Sequence, residues 1–284
     1  MQRTPFTRRG ALGVGAAALA LALSACGASG GDASTASPDP ENPVVVKVGA
    51  NPVPHARILE FVDENLAQEA GIDLEIQEFD DYQLPNTALD EGSIDANYYM
   101  HGPFFESQVR DRNLKMEHGE GVHIEPYAAF STQLESVDEL EDGATIAITN
   151  DPGNQPRALK MLEQAGLLQG IEDDSAALTL TEEQNPRGFS FEENQPEILV
   201  QIVDDPAVDL AIINGNYFIQ AGMKLDDALV VEEISGENPY ANFLAWREGE
   251  QTPAIEKLDE LLHSPEVKQH IEETWPGGDV VPAF

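Results

Sequence analysis

The apolar positions of this chain change period repeatedly, from unbroken strand-like runs to the three-and-four spacing of amphipathic helices. Val44-Val45-Val46-Lys47-Val48 reads as a buried strand that ends at Gly49 and a proline-rich turn from Asn51 to Pro54. From His55 to Ala70, the residues Ile58, Leu59, Val62 and Leu66 recur on one helical face, and Gly71 stops the pattern. Asp73 to Phe79 alternates as a second strand. This β-α-β opening predicts a parallel sheet in an α/β fold. A short helix over Asn86 to Glu91, a strand over Ala96 to Met100 and a helix from Pro103 to Arg112 continue it.

A second unit begins after Phe130. Thr145 to Ile148 reads as a short buried strand, Ala158, Met161, Leu162 and Ala165 mark a helix face ended by Gly166, and Leu210 to Ile213 forms another buried strand. Tyr240 to Trp246 is strand-like, and Pro253 to His263 and Pro265 to Thr274 are helical. Two α/β lobes joined by two crossing segments, near Tyr127 to Ser131 and Asn238 to Phe243, account for this order. The expected divisions are 44–128 for the first part of lobe one, 129–238 for lobe two, and 239–284 for a segment returning to lobe one.

The amino-terminal pattern is of another kind. Basic Met1 to Arg9 precedes an apolar run from Ala11 to Leu23, 13 residues long and too short to span a bilayer as a helix. Residues 1–25 therefore read as a signal peptide. Leu23-Ser24-Ala25-Cys26 resembles a bacterial lipobox, at which Cys26 would be lipidated and become the mature terminus. The alternative is an ordinary cleavage site beside an unpaired thiol, because Cys26 is the only cysteine. Thr7-Arg8-Arg9-Gly10-Ala11-Leu12 is similar to a twin-arginine export signal, or is a plain basic leader. Residues 26–43, rich in Gly, Ala, Ser, Pro and Asp, read as a disordered tether. A globule moored to the outer face of a cell membrane is the expected arrangement.

Charge narrows the partners. The chain carries 15 Lys+Arg against 52 Asp+Glu, a net charge of −37, and loss of Arg3, Arg8 and Arg9 with the leader would make it −40. Such a body offers no cation stripe for nucleic acid and is repelled by anionic headgroups, so attachment to a membrane falls to the lipid on Cys26. Phosphate-binding glycine loops and a Gly-x-Ser-x-Gly elbow are absent from the sequence. His118 and His123, with Glu117, Glu120 and Glu125 around them, allow a zinc site, but their spacing fits no common ligand motif and solvated loop histidines are the simpler reading.

The run Asn150-Asp151-Pro152-Gly153-Asn154-Gln155-Pro156-Arg157 follows a buried strand and opens a helix. Arg157 then sits in a first turn, where the helix dipole disfavours a cation. It either holds an anion at the carboxyl edge of a sheet or pairs with a carboxylate such as Glu163. Asp80 to Asn86 follows another strand, Asn97 to Phe105 is an aromatic cluster about a turn, and Asn214-Gly215-Asn216-Tyr217 follows the strand ending at Ile213. Aromatic faces suit a thioether or aliphatic side chain, although such clusters also build cores.

Val48 to Ala56, Phe79 to Leu89, Asp95-Ala96-Asn97 with His101 and Pro103, Asn150-Asp151-Pro152 with Asn154 and Arg157, Asn185-Pro186 and Ile213-Asn214 together resemble the methionine-binding lipoprotein (MetQ/NlpA) family, the substrate-binding components of ABC importers. The resemblance covers nearly the whole body after the tether. It implies a two-lobed, type II-like periplasmic-binding-protein architecture, each lobe a sheet flanked by helices, with an amino acid, methionine foremost, held in the cleft and delivered to an ABC permease. By the same resemblance Arg157 would hold the ligand carboxylate through a charge-assisted fork, and Asn214 with Asn185 would bind its amino and carboxylate groups. Tyr82, Tyr99, His101 and Phe104 would surround the side chain, and Asn154 would orient the arginine. His55 would face the cleft. Tyr99 stands where phenylalanine is usual, Phe104 where tyrosine is common, and Gly102 where lysine is more typical. No cofactor and no catalysis are implied. The other readings are a metal-binding receptor using His55, His101, His118 and His123, or an extracytoplasmic enzyme lacking any visible nucleophile–base pair.

Overall fold

The computed structural model describes residues 35–234 and 238–284. The expected signal peptide, the lipidation site Cys26 and residues 27–34 of the tether lie outside them. The expected looseness of residues 35–43 needs correction at its end. Asp39 N–H donates to Gly71 O at 3.2 Å and Asn42 N–H to Asp39 O at 3.0 Å, so backbone hydrogen bonds pin a polar segment that has no apolar residues to hold it.

The first half of the chain builds β1 (Val44–Ala50), a helical run containing α1 (Arg57–Val62) and α2 (Gln68–Ala70), and β2 (Ile72–Glu78). α3 (Leu84–Asp90), β3 (Ala96–His101), α4 (Gly102–Arg112), β4 (Met116–His118) and β5 (His123–Ile124) follow. β1 lies between β2 and β3, parallel to both, with Val44 opposite Ile72 and Val48 opposite Ala96. This is the predicted β-α-β unit. Ile58, Leu59 and Val62 are fully buried against the sheet, and each such side chain contributes roughly 1.5–3 kcal/mol. The run from Pro52 to Ala70 is helical except at Val53, where extended backbone (φ −137°, ψ 133°) kinks it, and a π-type turn at Asp63–Ala67 interrupts its α-form.

A second sheet uses β6 (Ala128–Phe130), β7 (Thr145–Thr149), α5 (Gln155–Gln164), β8 (Ser190–Asn194), α6 (Pro196–Ile202), β9 (Leu210–Ile213), α7 (Gly215–Gln220) and β10 (Val230–Val231). Its order is β10-β6-β9-β7-β8, with β7 parallel to β8 and β9. The chain then returns to the first sheet through β11 (Asn242–Arg247), α8 (Pro253–Leu262), α9 (Pro265–Thr274) and β12 (Val281–Pro282), completing the order β12-β5-β11-β3-β1-β2 with β4 on β11. Thr252 and Ser264 cap α8 and α9 by accepting the N–H groups of Ile255 and Val267; such caps contribute about 1 kcal/mol each. A proline at the first position of each helix suits the cap. Leu258, Leu262, Val267 and Ile271 pack into the same core as β1 and α1, while β7, β9 and α5 share a second core. Among the described residues no helix is long and apolar enough to cross a membrane.

Candidate functional site

The parallel strands of both sheets direct their carboxyl ends at one cleft, the edge at which open α/β sheets bind ligands. Tyr82 lies beyond β2, Tyr99 and His101 end β3, Asn154 and Arg157 follow β7, and Asn214 follows β9. A small cavity lies between them. Seven of the eight expected ligand residues line it: Tyr82, Tyr99, His101, Phe104, Asn154, Arg157 and Asn214.

Asn185 does not line it. Its amide closes a turn, donating to Phe189 O and accepting from Phe189 N–H, both at 2.9 Å. That correction follows from local competition, since an asparagine side chain readily bonds its own neighbouring backbone.

One side of the cavity is aromatic. The Tyr82 and Phe104 rings lie 5.6 Å apart, and Tyr99 is 6.0 Å from each. Their hydroxyls are used elsewhere: Tyr99 donates to Tyr82 O at 2.9 Å, and Tyr82 donates to Asn216 Oδ1 across the cleft. What faces inward is therefore ring surface. Phe104 N–H donates to His101 Nδ1 at 3.3 Å, and His101 Nε2 donates to Asn154 Oδ1 at 2.8 Å. Burial, followed by the nearby Arg157 charge, lowers the His101 pKa to about 3, so the ring is neutral. Asn154 also donates to Asp151 Oδ2 at 2.5 Å. It ties the lobes together through His101 and makes no bond to Arg157, contrary to the orienting role expected of it.

The other side is polar. Arg157 is buried, with its guanidinium between the rings of Tyr127 and Tyr240 at 4.5 and 4.2 Å. Nε donates to Glu232 Oε1 at 2.8 Å, and Nη2 donates to Glu232 Oε2 at 2.6 Å and to Glu125 O at 2.7 Å. Glu163 is not the partner; its Oε1 accepts from Ile171 N–H. Three of the five guanidinium donors are thus committed, and Nη1 makes no hydrogen bond among the described residues. Asn214 Oδ1, Asn216 Nδ2 and Tyr127 OH are also buried without a partner there. Buried polar atoms are normally paired. Two donors, an acceptor and a hydroxyl left open around one cavity describe a site for a ligand with both an anionic and a cationic group.

Several cleft residues carry no signal in sequence. Glu232 stands 75 positions from Arg157 in a polar stretch. Tyr127 and Asn242 reach the cavity from the two crossing segments and Glu125 from just after β5, whereas Asn216 lies at the start of α7 in the run that the sequence singles out. His123 is fully buried, which corrects the solvated-loop reading; only His118 is exposed, stacked on Phe243 at 4.0 Å. Of the histidines offered for a metal, only His55 and His123 come together, with Glu125, and the three ligand atoms lie within 4.8 Å of one another.

The lobes meet closely. A methyl group at Gly153 would stand 2.7 Å from Phe104 Cα, so at this point backbone approaches backbone.

The profile of the NlpA lipoprotein family matches residues 46–284. The methionine-binding lipoprotein MetQ of Bacillus subtilis is 34% identical over 259 residues, covering 90% of this chain and 92% of that one. The structure of a nutrient-binding protein from Burkholderia cenocepacia bound to methionine superimposes with a TM-score of 0.78 at 32% identity, over 84% of this chain and 100% of that one. An ABC-transporter periplasmic substrate-binding protein from Coxiella burnetii does so with a TM-score of 0.77 at 33% identity, covering 84% and 100%.

Proposed function

Since the chain belongs to the NlpA lipoprotein family, we propose that it is the substrate-binding component of an ABC importer, capturing methionine outside the membrane and handing it to a permease. One observation carries the ligand reading. The cavity joins an inward ring surface of Tyr82, Tyr99 and Phe104 to an arginine with an open Nη1 edge, which matches a thioether side chain on a zwitterionic head. Sulfur–aromatic contacts contribute ~0.3–1.5 kcal/mol. Arg157 receives the ligand carboxylate end-on through Nη1, its other edge being held by Glu232.

Closure is the mechanism. Residues 44–128 with 239–284 form one jaw and 129–238 the other. A ligand touching both binds the closed form better and shifts the population towards it. The protein performs no chemistry on its ligand. Lipid on Cys26 holds it at the extracytoplasmic face, because so acidic a body is repelled by anionic lipid. Calorimetric titration with methionine, together with mass spectrometry of small molecules released from gently purified protein, tests the reading. Saturable one-to-one binding is expected; absence of binding to methionine refutes the ligand.

A further inference from the structure

The cleft contains a carboxylate that makes no ion pair with a lysine or arginine among the described residues. Arg157 is the only lysine or arginine lining the cavity, and its fork already rests on Glu232. The Glu125 side chain is 8% exposed and also lines the cavity. Its Oε1 accepts from His123 Nε2 at 2.9 Å and lies 3.1 Å from His55 Nε2 without a hydrogen bond between them. Neither imidazole brings a charge. Burial lowers the His55 pKa to about 4 and the His123 pKa to about 3. Tyr98 OH donates to His123 Nδ1, which leaves the Nε2 proton for Glu125 and fixes the tautomer. His55 Nε2 is also steadied by Asn242 Oδ1 at 3.1 Å.

We propose that Glu125, held by His123 and flanked by His55, is the counter-charge for the ligand's α-ammonium, and that it makes the cleft select α-amino acids over their des-amino counterparts. The assignment rests on the amino-acid reading above and deepens it.

Placement supports it. Arg157 Nη2 donates to the backbone oxygen of Glu125 at 2.7 Å, and both residues line the same cavity. The open acceptor Asn214 Oδ1 lies on the adjoining segment. Gly215 next to it allows the approach, because a methyl group there would stand 2.4 Å from Glu125 Cβ. The His123 donor on Oε1 steadies the group and leaves lone-pair capacity for an ammonium. Burial pushes the Glu125 pKa up, and the nearby Arg157 charge pulls it back; an arriving ammonium supplies further charge that favours the carboxylate form.

The test is calorimetry on wild type and the isosteric Glu125→Gln, each titrated with methionine, 4-(methylthio)butanoate and 3-(methylthio)propylamine, beside thermal melting. Wild type is expected to prefer methionine over the des-amino acid by roughly 10- to 150-fold, the range for a hydrogen bond to a charged group. Glu125→Gln is expected to lose most of that preference and to lose binding of the amine. A variant that melts normally and keeps the preference within about threefold of wild type overturns the assignment. If Glu125→Gln does not fold, the wild-type arms decide: an amine that binds while the acid is weakened supports the assignment, and an acid binding within about threefold of methionine overturns it. Failure of wild type to bind methionine at all is a separate result, which removes the reading beneath it.

Discussion

Replacing Arg157 tests ligand recognition and the packing of the cleft together, and a double-mutant cycle with Glu232 separates them. The Arg157 and Glu232 side chains are 3% and 8% exposed and joined by two hydrogen bonds. Burial works against the guanidinium charge, and Glu232 with the two flanking tyrosines outweighs it, so the pair is ionic. Arg157→Met would leave Glu232 buried without its cation, costing about 3–5 kcal/mol. For a body of this size that lowers the ligand-free Tm by roughly 6–20 °C. Arg157→Met with Glu232→Gln removes both charges and is expected to recover most of that loss, because a neutral pair strands nothing. Methionine affinity is expected to stay down by two to four orders of magnitude in both variants, as the ligand carboxylate enters the cleft alone in each. Differential scanning fluorimetry and calorimetric titration on the four proteins read the two effects independently. A single variant that melts within about 2 °C of wild type would refute the buried pair. A double variant that binds methionine within about threefold of wild type would show that the carboxylate rests elsewhere.

Norleucine is expected to bind more weakly than methionine, by up to about tenfold, since it loses the sulfur–aromatic contacts of Tyr82, Tyr99 and Phe104; glutamate is expected to bind poorly in competition titrations, and its outranking methionine would end the apolar-sleeve assignment. Stability of the ligand-free protein is expected to fall as pH drops from about 6.5 towards 3. His55, His101 and His123 are neutral when folded, with pKa values of about 4, 3 and 3, and take up protons more readily when unfolded. Their stabilising preference is present above the unfolded value and lost through that window; Glu125 and Asp151, raised by burial, act in the opposite sense just above the ordinary carboxylate range. A Tm that stays flat from pH 7 to pH 4 would contradict the buried neutral assignment. Cys26→Ser is expected to move the protein from the membrane fraction to the medium, or leave its leader uncleaved, with ligand affinity unaltered; fractionation blots read the outcome.

The opening β-α-β unit was legible because Val44 to Val48 and the Ile58-Leu59-Val62-Leu66 face carry clean periods. β8 was not, because it carries one phenylalanine among polar residues and runs along the sheet edge. β5, β10 and β12, two residues each, are shorter than any period that could announce them. The cleft divides in the same way. Arg157 stood out as a cation at a helix start, and the aromatic cluster around His101 stood out by composition. The partners that decide their chemistry did not. Glu232 becomes informative only once β10 lies beside β6 and near α5, and the His55–Glu125–His123 group joins three distant segments. Local pattern reveals elements and their exposed edges; a buried charge pair is a property of the assembled fold.

On the closure mechanism proposed above, the close approach at Gly153 would give the jaws a mechanical limit. Where main chain meets main chain, no side chain can turn aside to admit a further ångström of travel, so closure has a fixed end point. A binding clamp with a hard stop works as a gauge. Ligands short enough to leave that stop reachable are all enclosed in one geometry, whatever the strength of their individual contacts. One that is slightly too long holds the jaws apart and forfeits every contact across the gap at once, so that length is judged as a threshold and affinity only afterwards as a sum.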